Sequence, residues 1–333
     1  MPYKVAVLMG GSSFEREFSL ESGRHVTSIL RAQGHEVLPL DTGKDLVETL
    51  RTQNIDVVYI ALHGKGGEDG TIQALLEYLQ IPYIGSSSPV ARLFWNKTSW
   101  PHALSLSRQG HAQNPEKGAA SWPGQVSLPA LSFKDLGATE ALDLIPQHLG
   151  SYPIAVKPAR GGSAMGVSRV DSIEGVGAAV LDAFSFDTAV ILEQWVEGVE
   201  LAVGVIGTGS EAKVLPLVEI VPKRGFFDIE ARQDANLVDY YCPLRLASLG
   251  ASTDEQQEAI QTIQLAALEI HRVLDCRDLS RIDMIWDGNK ACVLEVNVSP
   301  GMTERSLIPM AVAASDTSLG ELLDELLTGA INR

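Results

Sequence analysis

Little in this chain of 333 residues points toward a membrane, a nucleic acid or an oxidising compartment. Cysteine is scarce: Cys242, Cys276 and Cys292 are odd in number and lack metal-site spacing, so they read as free thiols in a reducing compartment. No uncharged apolar run approaches the roughly 18–20 residues of a membrane span. The N-terminus passes from a short apolar run into Gly10-Gly11-Ser12-Ser13, which fits a strand and a turn rather than a signal peptide. Basic residues are outnumbered, 26 Lys and Arg against 42 Asp and Glu, for a formal net charge of −16. A body this acidic is a poor partner for a nucleic-acid backbone, although a few locally gathered cations can still hold a small anion. Internal repeats and low-complexity tracts are absent. The expectation is a cytoplasmic protein with neither nucleic acid nor membrane among its partners.

What is present is core-forming material. Hydrophobic residues make up 45% of the chain and the mean hydropathy is +0.07, enough for a large core and for two or three compact units. Residues 4–9 form a β-branched run. A helix is expected over about 15–32, closed by Gly34, then strands at 36–40 and 55–62 with a helix near 43–52 between them. A helix at 71–80 and a strand at 82–85 complete an alternating α/β unit with a parallel sheet, spanning residues 1–90. Residues 109–126 carry Gly, Pro, Ala and Ser without a sustained period and read as a long surface loop. Beyond it come a helix near 137–148, strands at 153–158 and 166–170, a helix at 173–184 and a strand at 189–196. A hairpin of two long strands is expected over 199–221, an irregular loop over 223–243, a helix at 253–273, and strands at 281–286 and 291–297.

Several segments carry residues suited to chemistry. In PIAVKPARGGSAMGVSRV (153–170), Lys157 ends one strand and faces Gly161, Gly162, Ser163 and Gly166. Glycines let backbone N–H groups approach a phosphate, and the lysine adds a point charge. No Walker loop occurs and no helix follows the glycines, so the segment reads as a hairpin flap. In EQWVEGVE, Glu193 and Glu200 flank a turn; taken alone they suit solvent as well as an adenosine. HGKGGEDG places His63 and Glu68 after a strand, at the edge where open α/β sheets bind ligands. Glu15 in GGSSFEREFSL sits near a helix start, which favours a carboxylate by the helix dipole alone.

The run ending in EVNVSPGMT poses a sharper question. Strand alternation puts Glu295 and Asn297 on one face. A three-residue loop at 288–290 would set Asp283 opposite Glu295 and Arg281 opposite Asn297, gathering three oxygen ligands suited to Mg²⁺. A two-residue Gly288-Asn289 loop would shift the register by one and turn Asp283 away. The sequence leaves both loops open.

Together, in order and over nearly the whole chain, these segments resemble the D-alanine–D-alanine ligase family of the ATP-grasp superfamily. The resemblance implies an N-terminal α/β substrate-binding domain (1–96) and two α+β subdomains clamping ATP. These are a central one (97–193, with the loop near 109–126) and a C-terminal one (194–333, with the metal site and a mobile loop at 223–243). It further implies that Lys97, Lys157, Gly162, Ser163 and Arg232 contact ATP phosphates and that Glu193 and Glu200 hold adenosine. Asp283, Glu295 and Asn297 would bind two Mg²⁺, with Mn²⁺ an acceptable substitute. Glu15 would meet the ammonium of the first D-alanine, with His63 and Glu68 nearby. Arg281 and Gly301 would form an oxyanion hole, and Ser306 with Leu307 would receive the carboxylate of the second substrate.

The implied reaction is the joining of two D-alanines through an acyl phosphate for peptidoglycan precursors, with ATP and D-alanine as the small-molecule partners and a homodimer left open. One departure stands out: Arg232-Gln233 replaces the family's usual Lys-Tyr, and that Tyr would close a hydrogen-bonded set with Glu15 and Ser163. It keeps D-lactate, D-serine or another carboxylate–amine ligation as rivals. A nucleotide-binding regulator without catalysis is disfavoured because the three metal ligands are all retained.

Overall fold

The computed structural model describes residues 2–110, 119–129, 149–234 and 236–333, without the side chains of Leu128, Pro129 and Gln233. In the N-terminal part, β1 (Lys4–Met9), α1 (Arg16–Ala32), β2 (Glu36–Asp41), α2 (Leu46–Thr52), β3 (Val57–Ile60) and α3 (Thr71–Leu79) follow one another. The strands form a parallel sheet of order β2-β1-β3. Parallel strands covered on both faces must be apolar on both faces. In β1, Val5 and Val7 join the cluster of Val26 and Leu30, whereas Ala6 and Leu8 join that of Leu50 and Leu76. The expected strand at 82–85 is only a single bridge, Val58 to Tyr83. Pro82 has no N–H to give a ladder, and Gly85, at φ +114°, turns the chain away.

After α4 (Ser88–Trp95) and α5 (Ser99–Gly110) comes an antiparallel sheet of order β4-β7-β5-β6, built from β4 (Gln125–Pro129), β5 (Ile154–Pro158), β6 (Ser168–Val170) and β7 (Ala189–Gln194). Helix α6 (Ile173–Ala183) covers it. The expected loop at 109–126 is therefore shorter at its far end, because Gln125 already pairs with Glu193. Residues 111–118 and the helix expected near 137–148 lie outside the described residues.

The third sheet has the order β11-β10-β8-β12-β13, with β9 on β8. Its strands are β8 (Val199–Ile206), β9 (Lys213–Val214), β10 (Val218–Pro222), β11 (Val238–Tyr241), β12 (Leu279–Trp286) and β13 (Ala291–Asn297). The expected long hairpin over 199–221 is thus β8 followed by two shorter strands, β9 and β10. The expected irregular stretch 223–243 instead holds α7 (Ile229–Gln233) and β11. Asp228 caps α7 by accepting from the Ala231 N–H at 2.8 Å, and Phe227, Ala231 and Val238 bury themselves in the core. Helix α8 (Thr253–Val273) is amphipathic, opens with a Ser252/Glu255 capping box and packs Ile263, Ala266 and Ile270 inward. Helix α9 (Leu307–Ala313) packs on β8 and β10 of this sheet, and α10 (Leu319–Ile331) packs on α1 and β3 of the first, with Leu323 and Leu327 fully buried.

The β12–β13 hairpin resolves the open register. Asp287 N–H donates to the Lys290 carbonyl at 3.2 Å, and the Asp287 carboxylate accepts from the N–H groups of Asn289 and Lys290. The loop is thus the two-residue Gly288-Asn289 turn, with Gly288 at φ +95°. Asp283 is nevertheless not turned away. The register shifts between Asp283 and Met284, so that Met284 faces Val293 while Asp283 faces Glu295. Leu294 is the extra residue of a β-bulge, and it restores the face that the short turn would have reversed.

Candidate active site

Two cavities meet where the three sheets converge. The larger, about 360 Å³, is lined by Glu15, His63, Glu68, Lys97, Gly162, Ser163, Arg232, Arg281, Glu295, Asn297, Gly301, Ser306 and Leu307. The smaller, about 140 Å³, is lined by Lys97, Lys157, Gly162, Glu193, Glu200, Arg232, Asp283 and Glu295 among others. Every expected site residue except Gln233 lines one or both. Gln233 ends α7, and its side chain lies outside the described residues.

Backbone architecture sets each side chain. Lys97 lies between α4 and α5, where its N–H donates to the Ala159 carbonyl at 3.0 Å and Asn96 bridges to Arg160. From there its ammonium donates to the Gly161 carbonyl at 2.5 Å and stands 3.4 Å from Glu295. Lys157 at the end of β5 donates to Glu193 across the sheet at 2.8 Å, and Gln125 donates to the same carboxylate at 2.6 Å. Arg281 and Asp283, two apart on β12 and so on one face, form a fork of 2.7 and 2.8 Å. Arg232 lies over the Phe227 ring at 4.4 Å, and its buried Nε has no hydrogen-bond partner among the described residues.

At the other end of the larger cavity, Glu15 stands at the start of α1 but does not cap it. Its carboxylate instead accepts from Ser163 Oγ, on the glycine-rich segment, at 2.5 Å. His63 lies between Glu68 at 3.4 Å and Ser22 at 3.2 Å. Ser306, before α9, accepts from the Thr303 N–H at 3.0 Å. A Cβ at Gly301 would come within 2.5 Å of the Phe18 ring, so only glycine allows this close backbone approach.

The ionisable groups divide by their neighbours. Burial alone would raise the Glu295 carboxyl, but Lys97, Arg232, Arg281 and Lys157 outweigh it and hold it down at about 2. Burial works against charge on Arg281 too, yet Asp283 and Glu295 keep its guanidinium protonated and push it up. Glu200 is pushed up to about 7 by burial, with Asp283 and Glu295 adding repulsion against the pull of Arg232. Glu15 is also raised, by burial first and by Glu68 second.

Among the described residues no three His, Cys, Asp or Glu side chains form a metal-binding group. The oxygen set at the β12–β13 edge is two carboxylates and the Asn297 carboxamide, with Asp283 opposite Glu295 and Arg281 opposite Asn297. An all-oxygen set of this kind suits a hard cation that completes its shell with phosphate and water. Sequence reasoning missed the walls. Trp195 and Phe226 meet edge to face at 5.6 Å beside the smaller cavity, and Phe18, Trp95 and Tyr240 line the larger. The one available signal was aromatic residues placed in otherwise polar or turn-forming segments.

Comparison with known proteins concerns the chain as a whole. The family model described as D-ala D-ala ligase C-terminus matches residues 134–328, and that described as D-ala D-ala ligase N-terminus matches residues 43–86. A protein of Desulforudis audaxviator named D-alanine–D-alanine ligase is 36% identical over 336 residues, covering 100% of both chains. Among solved structures, the VanG D-Ala:D-Ser ligase from Enterococcus faecalis superposes with a TM-score of 0.77 at 27% identity, over 99% of this chain and 100% of that one. A D-alanine–D-alanine ligase from Bacillus anthracis complexed with ATP gives a TM-score of 0.75 at 25% identity, over 99% and 98%.

Proposed function

The chain belongs to the D-alanine–D-alanine ligase family, and from that premise we propose how its cleft joins two D-alanine molecules at the expense of ATP. The activity is the ATP-dependent formation of D-alanyl-D-alanine, a peptidoglycan precursor, on an ATP-grasp fold. One observation carries the assignment of roles: the two cavities share Lys97, Gly161, Gly162, Arg232 and Glu295 as a common wall. A nucleotide in the smaller cavity would therefore end its phosphates where the larger cavity begins.

On this reading, adenine lies between the apolar walls of the smaller cavity, and Glu193 and Glu200 face the amino group and the ribose. Lys157, Lys97 and Arg232 receive the phosphates, with the 160–166 segment over them. The orphan Nε of Arg232 and the cation-paired carboxylates support this, because an entering polyanion supplies the partners these cations lack or exchange. Asp283, Glu295 and Asn297 would hold magnesium, which supplies charge neutralisation at the transferring phosphoryl group when bound.

Glu15 holds the ammonium of the first D-alanine, with His63, steadied by Glu68, near its carboxylate. That carboxylate takes the γ-phosphoryl group, and the amine of the second D-alanine then attacks the acyl carbon. Arg281 and the Gly301 N–H face the oxyanion as phosphate leaves. Ser306 and the Leu307 N–H receive the second carboxylate. The same reading divides the chain at about residues 96 and 193 and places it in the cytoplasm, with a homodimer left open. The test is direct: ADP, phosphate and dipeptide are measured with ATP, Mg²⁺ and D-alanine alone, then with D-serine or D-lactate added. Equal yields of phosphate and D-alanyl-D-alanine support the reading. Product only with D-serine or D-lactate would reassign the second site.

A further inference from the structure

The glycine-rich segment 160–166 is strained and held from outside. Ser163 and Ala164 have φ of +54° and +55°, a left-handed conformation that non-glycine residues disfavour. The turn at 184–188 grips the segment at both ends. At one end Asp187 accepts from the Arg160 N–H at 2.9 Å and from its guanidinium at 3.0 and 2.6 Å. At the other the Phe186 ring lies on Gly166, where a Cβ would come within 2.6 Å of it. Between these ends Ser163 reaches Glu15.

Phe14, the residue before Glu15, is 82% exposed. No core benefit explains so large an apolar ring in a substrate-binding loop. Its ring meets that of Phe186 edge to face, with centroids 6.3 Å apart and planes at 74°. Both rings line a third cavity of about 540 Å³, between the 12–15 loop, the 160–166 segment and the 184–188 turn, which opens beside Glu15 and Gly162. The N-terminal loop and the central sheet's turn thus touch through two phenylalanines at the outer mouth of the site.

We propose that Phe14 and Phe186 are positioning residues that clasp the 160–166 flap against the Glu15 loop and so keep water from the acyl phosphate. The inference rests on the ligase reading above. In the productive step the second D-alanine's nitrogen bonds to the acyl carbon, the carbon–oxygen bond to phosphate breaks, and the amine gives up a proton. In the leak, water's oxygen bonds to the same carbon, the same bond breaks, and D-alanine, phosphate and a proton are returned. The leak consumes ATP without making dipeptide. Neither ring touches the reacting atoms; both act through the placement of Ser163 and Gly162.

The experiment measures phosphate and dipeptide together for the full chain and for Phe14→Ala, Phe186→Leu, the double variant and Phe14→Tyr, at saturating ATP and D-alanine. A merely structural defect lowers both products in proportion, whereas an opened clasp raises phosphate relative to dipeptide. An edge-to-face contact supports a rise of about two- to tenfold in that ratio for each single variant. The double variant should be no worse than the worse single, and Phe14→Tyr should restore coupling. An unchanged ratio in both singles, in an enzyme that makes dipeptide, overturns the clasp and leaves the ligase reading standing. Effects that multiply in the double variant overturn it as well, since the rings would then act separately. A wild-type chain that makes no dipeptide overturns both.

Discussion

At the β12–β13 edge each carboxylate has a cation in reach: Asp283 has Arg281, Glu295 has Lys97, and Glu193 across the smaller cavity has Lys157. At the opposite end, the oxygens of Glu15 and Glu68 meet a serine hydroxyl and an imidazole. Glu295, with four cations around it, is held at about 2, while Glu15 is raised; Asp283 beside Glu295 is raised as well, because burial outweighs its single Arg281 partner. The difference lies in who answers the charge. The first end is a set of paired charges that a phosphate chain and its metal can re-partner without stranding a charge. The second end keeps a carboxylate short of positive charge, and a substrate ammonium can provide it. A buried acid with a raised pKa facing a cavity is a common mark of a binding or catalytic role.

The harshest way to break the comparison is Glu295→Gln. It removes the carboxylate on which four cations converge and leaves the backbone hairpin intact. One lost stabiliser of developing charge costs about 3–4 kcal/mol in transition-state energy, so kcat for phosphate release should fall at least about a hundredfold. The chain should still fold, but thermal stability should fall too, because a carboxylate held at about 2 by buried cations stabilises the native state; kcat is therefore read well below the variant's unfolding temperature. A loss under about tenfold at saturating Mg²⁺ would show that this edge does not organise the phosphates.

The same comparison shows what was legible in the chain. His63 next to Gly64 and Lys157 at a strand end before the glycine-rich segment could be singled out from local pattern, whereas the roles of Glu15 and Glu295 were legible only through the ordered resemblance to the family. The joining of Asp283 to Glu295 was reached by the wrong route. A bulge at Leu294 leaves no periodic trace in a seven-residue strand, because one unpaired leucine among apolar neighbours reads like any other. The short helix α7 was hidden for a related reason. Its five residues are too few to show a helical period, and its anchor Phe227 precedes it. The aromatic walls were missed because Trp195 and Phe226 read equally well as core.

A milder test uses pH. Glu200 is raised to about 7 and Glu15 is raised as well, both first by burial. The native state therefore keeps a proton on each where the unfolded chain has lost it. Stability should fall as pH rises from about 4.5 toward 7, with a slope of at most about 1.4 kcal/mol per pH unit per group. Activity should run the other way at the Glu15 end, since binding an ammonium needs the carboxylate. Chemical denaturation across this range should show the fall in the wild type, and Glu200→Gln should remove the part of it that extends to 7. Glu295, already charged above about 2, contributes no slope of its own there, but its charge helps to raise Glu200, so Glu295→Gln should narrow the fall without abolishing it. An equal slope in wild type and Glu200→Gln would show that burial does not hold a proton on Glu200.

The smallest effect concerns the link that ties the Glu15 end together. Ser163 reaches Glu15 at 2.5 Å, but the residue after Arg232 is Gln233 where the family's usual Tyr would join them. Gln and Tyr are both neutral, so the exchange leaves the charge of the cavity unchanged and does not disfavour an amine nucleophile. What changes is reach and rigidity: a phenol presents one hydroxyl on a stiff ring, whereas an amide divides donor and acceptor on a flexible chain. Gln233→Tyr should therefore add about one hydrogen bond, roughly 1 kcal/mol, and lower KM for the second D-alanine a few-fold at constant kcat. Combining it with Ser163→Ala separates a shared network from an independent contact. If the tyrosine closes the Glu15–Ser163 set, its benefit shrinks when the serine hydroxyl is gone. If the few-fold gain survives intact, position 233 acts on the second substrate without passing through Glu15.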